Sequence, residues 1–294
     1  MIQVLQQGTF VSYKNQMKDY VIRNRKRKVG MVLLSIIVGL VCLIPILFSS
    51  LSYGFDKELV YASPSFAHWF GCDAQGRDVL YRVFLGGRIS LLFAFLSALV
   101  CAVIACCSLL AVISKRTEMV VMRCLEIVQV IPYLPFVLML SYLFLWTSPG
   151  VKLILGAILI GLLNVPMLTR VLVYQFHSCE RKDYFISAVL LGANRKHLFY
   201  HYYGKEALPV LGVTLLEIFA SSLMIETSLS FLGMGVPYPH PSWGNMMQSA
   251  ASFSVFISYP WNWFFPGLLV FLTILSLHLI KESWESSGNQ KSKL

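Results

Sequence analysis

The chain has 294 residues, of which 57% are hydrophobic and 13% charged, and it carries a formal net charge of +10. Soluble domains run near roughly 45–50% apolar and about 25% charged, so a soluble globular protein is excluded and the core is expected to be a lipid-facing helical bundle. The basic residues flank hydrophobic runs, which reads as membrane topology and not as a nucleic-acid surface. Most of the seven cysteines fall inside hydrophobic runs, their number is odd and none form a C-x-x-C, so they read as small apolar fillers and not as a disulfide framework.

Residues 1–28 form a polar leader that ends in the basic cluster Arg23-Asn-Arg-Lys-Arg-Lys28. Such a cluster can attract anionic lipid at roughly 1 kcal/mol per basic residue, or simply anchor the topology. The apolar run that follows is too long for the core of a cleavable signal, so none is expected. Residues 29–50 are the first span, long enough at 1.5 Å per residue to cross about 30 Å of hydrocarbon. Residues 51–87 are mixed in character. There Asp73 is expected to cap an amphipathic helix lying along the membrane surface, with Val79, Leu80, Val83 and Phe84 on one face and an Asp78–Arg82 pair on the other. Residues 89–113 are the second span. Residues 119–146 are the third, kinked by Pro132 and Pro135, and residues 151–174, with Pro166, are the fourth.

A polar loop over residues 175–205 then interrupts the hydrophobic sequence. An apolar helical pattern of Phe185, Ala188 and Val189 runs up to Gly192, which suits the positive φ of a helix C-terminus. A second, polar-aromatic helix leads on to Pro209, and two short helices broken by a glycine make a knob that another protein could grip. Residues 208–232 are the fifth span, residues 233–260 an outer Pro/Ser/aromatic loop, and residues 261–280 the sixth span before a polar tail. Six spans put both termini on one side. Of the 24 Lys and Arg residues, 19 then fall on that side and only Lys57, Arg77, Arg82, Arg88 and Lys152 on the other, so the leader, the loop and the tail are expected in the cytoplasm.

Ionisable residues within spans are candidate functional sites, and three carboxylates qualify: Glu126, Glu217 and Glu226. Glu126 follows Arg123 by three residues, the spacing of a local ion pair. Glu217 and Glu226 are nine residues apart, about 900° of helical rotation, so they point to opposite faces and cannot line one cavity. For both, structural pairing competes with a place on a pathway. His197 and His201 are spaced i,i+4, but no further ligand at suitable spacing makes a zinc site, and no metal or cofactor is expected. The phosphate-binding Gly-x-x-x-x-Gly-Lys-[Ser/Thr] loop is absent, as are a G-x-S-x-G elbow and an H-E-x-x-H pair, so an enzyme is not expected.

Four stretches carry a family resemblance. The loop around Tyr184–Gly204 resembles the "EAA" loop of ATP-binding-cassette importer permeases, with Ile186 where glutamate is usual and Gly204 at the position of the usual proline. His68-Trp-Phe-Gly-Cys-Asp-Ala-Gln-Gly-Arg-Asp78-Val-Leu-Tyr-Arg82 resembles the Gly-Thr-Asp-x-x-Gly-Arg-Asp signature of the second permease subunit of peptide and nickel importers, Cys72 replacing Thr. Glu226-Thr-Ser-Leu-Ser-Phe-Leu-Gly-Met-Gly235, followed by Pro241-Ser-Trp-Gly244, resembles that family's Ser-Phe-Leu-Gly-x-Gly…Pro-Ser-Trp-Gly. Met122-Arg-Cys-Leu-Glu126 with Pro132 is similar as well. The ordered set spans roughly residues 23–285.

The resemblance implies an all-α membrane protein of six transmembrane helices. It would have a leader over residues 1–28, a permease domain over 29–285 and a tail over 286–294, multi-pass in a bacterial inner membrane with cytoplasmic termini. It implies a homologous permease as partner, two cytoplasmic ATP-binding subunits gripping the loop, an external substrate-binding protein and surrounding lipid. Coupling residues would be Asp183, Tyr184, Phe185, Ala188, Val189, Gly192 and Ala193. With Ile186 unable to form an ion pair, docking would lean on the apolar face of Phe185 and Val189, with Asp183 and Arg195 as rim contacts. The outer motifs supply Asp73, Gly76, Arg77, Asp78, Ser242, Trp243 and Gly244. The implied substrate is an oligopeptide or dipeptide, with nickel or another small solute as the alternative. A self-sufficient secondary transporter would show internal repeats, which the two halves around residue 150 lack. A membrane scaffold would have no reason to carry the ordered motifs.

Overall fold

A computed structural model describes the backbone of residues 2–48, 56–111, 115–130, 132–143 and 147–291; some side chains, including those of residues 2–20 and of Arg195, lie outside the description. Every named element is a helix, and among the described residues β-pairing is limited to one isolated bridge between Cys72 and Asp78. Five helices are long and apolar enough to cross a membrane, or six spans if one sharply bent pair counts as a crossing.

Helix α1 (Ile2–Leu47) carries the basic leader and the first span as one rod, so residue 28 is not a structural break. It runs beside α11 (Trp261–Lys291). Near its basic end Lys26 Nζ stands 2.6 Å from Glu282, and the Ser283 hydroxyl donates to the Arg23 carbonyl at 3.1 Å. Pro45 lies inside α1 and has no N–H to offer the carbonyl of Val41 four residues earlier. Arg88 supplies the missing donor, Nε to Val41 O at 3.0 Å, and bonds the Cys42 carbonyl as well.

Helix α2 (Val79–Ala111) corrects two expectations. The helix expected to lie along the surface is the first part of the second span, and Arg88 sits well inside that helix, not in a loop. The cap is Asp78, whose Oδ1 accepts the Tyr81 N–H at 2.9 Å, and not Asp73. The apolar face is also not turned to a membrane surface. Val79, Val83 and Phe84 are buried, the first two against Met246, and Phe84 shares a core with Trp243.

The third span is not one kinked rod. α3 (Lys115–Val130) and α4 (Tyr133–Leu143) meet at 85°. Pro132 lies in the break, with no N–H for the preceding turn, and its carbonyl accepts from Phe136 to start α4. Pro135 falls in the first turn of α4, where a missing N–H costs little. α5 (Pro149–Glu180) opens on a proline for the same reason.

After α6 (Asp183–Leu190), α7 (Arg195–Leu198) passes through a π-helical turn, Phe199–Tyr203, directly into α8 (Gly204–Phe231). The second half of the polar loop is therefore continuous with the fifth span. α9 (Trp243–Met247) and α10 (Phe253–Ser258) complete the far loop before α11.

The core sits where α2, α5 and α8 meet. Cys101, Ala105, Leu168, Leu172 and Ile218 pack there, small residues on α2 letting the larger ones of α5 and α8 come close. Nearer the far end, Trp243 is fully buried among Ile37, Val41, Phe84, Ala94 and Leu223, drawing α1, α2 and α8 together. Removing such a buried aromatic typically costs about 3–5 kcal/mol. Of the cysteines, Cys72, Cys101 and Cys179 are buried and none of the seven is in a disulfide.

Candidate functional site

The polar loop folds into a compact knob. Cys179, Phe185, Ala188, Leu198 and Tyr203 bury one another, and Phe176 stacks on Tyr203 with ring centroids 3.9 Å apart. α6 ends in a Schellman arrangement: Gly192 N–H donates to Val189 O at 3.0 Å and Ala193 N–H to Ala188 O at 3.1 Å, with Gly192 at φ +79°. A Cβ added at Gly192 would meet no atom within 4 Å, so only backbone conformation selects glycine there.

Two polar clusters pin the knob. Glu206 at the start of α8 takes the Tyr184 hydroxyl at 2.8 Å and Lys182 Nζ at 2.8 Å. Burial, and then the Glu206 carboxylate, raise the Tyr184 phenol above its ordinary range. On the other side His177 lies 2.7 Å from Glu118 of α3 and 3.2 Å from Glu180, which also accepts from the Tyr203 hydroxyl. Sequence reading singled out none of these pairs; Glu118 and His177, 59 residues apart, share no local pattern.

The expected apolar docking face needs correction. Phe185 and Ala188 are 7% exposed and belong to the knob's own core. The outward ledge is Ile186, Val189, Leu190 and Leu191, the last two more than 80% exposed. Asp183 lies in the first turn of α6. The expected rim contact of Arg195 lies outside the described residues.

At the opposite end the outer motifs assemble into one cap. Asp73 organises its turn, Oδ1 accepting the N–H of Gln75 (2.8 Å) and of Arg77 (3.1 Å) while Oδ2 binds Arg77 and Arg82 at 2.8 and 3.2 Å. Arg82 therefore pairs with Asp73 and not, as expected, with Asp78, whose Oδ2 faces His68 Nδ1 at 2.9 Å. Capping uses Asp78's other oxygen, so both oxygens of that carboxylate have partners. Gly76, at φ +74°, lies against Asp56, whose carbonyl oxygen occupies the space of any Cβ. Burial, and then Asp78, push the Cys72 thiol up to about 11. The second motif closes over the first: Arg77 and Arg82 stand 5.7 and 6.0 Å from the Tyr238 ring. Ser242 and Asn245 form a reciprocal capping box, Trp243 Nε1 donates to Val83 O at 2.9 Å, and Gly244 packs on Thr227.

The three carboxylates have separate fates. Glu126 is half exposed and 3.4 Å from Arg123, a pair of the exposed class that contributes roughly 0.2–1 kcal/mol. Glu217 meets Lys281 of α11 at 3.0 Å. Glu226, 2% exposed, lies under the cap, where Ser230 donates to Oε1 at 2.7 Å and the Ser90 and Ser242 hydroxyls stand close by. Its Oε2 has no hydrogen-bond partner among the described residues, and Glu226 lines a cavity of about 30 Å³, room for about one water, that Lys152 and Ser141 also line. The opposite faces expected for Glu217 and Glu226 are seen, one toward α11 and the other toward the cap. His197 and His201 stack at 4.3 Å, and no group of three potential metal ligands occurs among the described residues.

Comparison with known proteins bears on these surfaces together. A profile described as Binding-protein-dependent transport system inner membrane component matches residues 98–283. A Brucella ovis protein whose name describes it as a peptide permease is 31% identical over 274 residues, covering 88% of this chain and 87% of its own length. The oligopeptide transport system permease proteins OppC of Haemophilus influenzae and Bacillus subtilis are each 30% identical. They cover 92% and 93% of this chain and 86% and 89% of their own lengths.

Proposed function

Because the chain belongs to the binding-protein-dependent transport system inner membrane components, we propose that it forms half of the pathway of an ATP-driven importer of oligopeptides or dipeptides. It is a multi-pass inner-membrane permease subunit and not an enzyme. The peptide cargo follows the names of its relatives. ATP hydrolysis belongs to two cytoplasmic subunits, a homologous permease completes the pathway, and an external binding protein delivers the peptide. The termini lie in the cytoplasm. The permease body begins within α1 near residue 29, and residues 286–294 are a tail.

The observation that carries this reading is the knob: an apolar ledge of Ile186, Val189, Leu190 and Leu191 on a helix whose inner face is locked to the fifth span. A surface of that kind transmits a push as a rigid body. Asp183, Tyr184 and Ala193 flank the ledge, while Phe185, Ala188 and Gly192 set its angle. At the other end Asp73, Gly76, Arg77, Asp78, Ser242, Trp243 and Gly244 build the cap, and Glu226 below it is the carboxylate placed to sense the pathway.

The test is to express the chain with its genomic neighbours and purify it through a tag. Two ATP-binding subunits and a second permease should copurify, and proteoliposomes should take up peptide only with ATP and the binding protein. Nickel uptake without peptide uptake, or ATP turnover by the chain alone, overturns the proposal.

A further inference from the structure

Between α1, α2, α8 and α11 runs a groove of about 730 Å³, within the size range of ligand pockets. Its walls are apolar, with Leu34, Val38, Leu92, Phe95 and Leu216 among them, and Arg88 is the charged residue in the lining. Leu92, Phe95 and Leu99 are about half exposed along the α2 flank, so the groove opens sideways, toward the bilayer in a chain that spans it.

Arg88 is always charged. Two of its nitrogens are committed to the carbonyls of Val41 and Cys42, which leaves Nη1 with donors to spare. No carboxylate pairs with it among the described residues, whereas Arg77, Arg82, Arg123, Lys26, Lys182 and Lys281 each have one. A fixed cation at the mouth of an apolar groove is completed by an anion attached to an apolar body.

We propose that this groove binds a membrane phospholipid, one acyl chain lying along α2 and its phosphate held by Arg88. Two arguments fix the occupant. A guanidinium presents a planar fork suited to phosphate oxygens. The groove also runs from Arg88 to Ala102, about 21 Å at 1.5 Å per residue, which exceeds the about 15 Å of half a hydrocarbon core that one lipid chain fills. Phospholipid is the only molecule present at solvent concentration in the bilayer that carries both parts. Arg88 lies in the half of the bundle near the cap, so the lipid belongs to the leaflet on that side.

The experiment uses the intact transporter in nanodiscs containing phosphatidylethanolamine with a photoactivatable acyl chain. Labelled peptides should map to residues 92–102 and 215–219. Arg88→Gln keeps an amide donor for the α1 carbonyls and removes the charge; it should reduce labelling at least fivefold at equal abundance. Leu216→Trp leaves Arg88 intact and fills the groove, and it should reduce labelling similarly, so the proposal stays testable if Arg88→Gln fails to accumulate. Unchanged labelling in either variant overturns the proposal. So does crosslinking of the groove residues to the second permease, which would make the groove a subunit interface.

Discussion

Gly192 is the residue on which the geometry of the knob turns. Its φ of +79° is one that β-branched residues avoid, and the empty space around it isolates that effect from any clash. Gly192→Val should strain the backbone by on the order of 1–3 kcal/mol and redirect the chain entering α7. Gly192→Asn, which tolerates the left-handed region, should cost far less. Peptide uptake at matched membrane abundance separates them: Val is expected to uncouple transport and Asn to retain most of it. Asp183→Ala removes one exposed charge and should fall nearer Asn, since exposed pairs contribute only about 0.2–1 kcal/mol. Loss of ATPase retention in Asp183→Ala with normal uptake in Gly192→Val would make the coupling ionic. Of all the site residues, Gly192 was the most legible in sequence, because positive φ at a helix end is a property of the residue itself. Arg88 and Lys152 were the least legible. Both were counted with the charges of the outer side, since no local pattern records which neighbours a charge on a helix will meet.

At the scale of elements, α6 presents an outward apolar ledge. Its period was readable, but its phase was not. Phe185, Ile186 and Val189 are all apolar, and the knob core, with the aromatic partners Tyr202 and Tyr203 reached through the later π turn, holds Phe185 inward and leaves Ile186 outside. Ile186 in place of the usual glutamate then has a physical sense, since it extends an apolar patch that continues through Leu190 and Leu191. Leu190→Lys, at an 81% exposed position, should leave the fold intact yet strip the ATP-binding subunits during purification. Retention equal to the unaltered chain would move the contact elsewhere. α2 gives the complementary lesson. Asp73 and Asp78 are both suitable caps in sequence, and the choice depends on His68 and Arg82 partitioning between them. Choosing the wrong aspartate started the helix early, and breaking it before Arg88 invented a surface segment.

At the scale of the whole molecule the all-α membrane fold was the most legible, because hydropathy is a sum over many residues and tolerates local errors. The 19 basic residues on one side predict that a cytoplasm-only reporter is active after Leu294 and silent when inserted near Ser242. The opposite pattern would overturn the topology. What sums could not reveal is that the distant motifs are one object, with Asp73's turn, Tyr238 and Trp243 locked across more than 150 residues of chain.

The contact of Lys26 with Glu282, and of Arg23 with Ser283, has a genetic consequence. The middle of the first helix lies beside the last there, so residues 23 and 283 are neighbours although 260 positions apart. A rearranged gene that omits residues 1–22, joins the two helices at this contact through a short linker and starts instead at Lys115 would begin two spans later. An even number of crossings keeps its new start on the same side of the membrane. Such a circular permutant asks the insertion machinery for the same orientation of every helix.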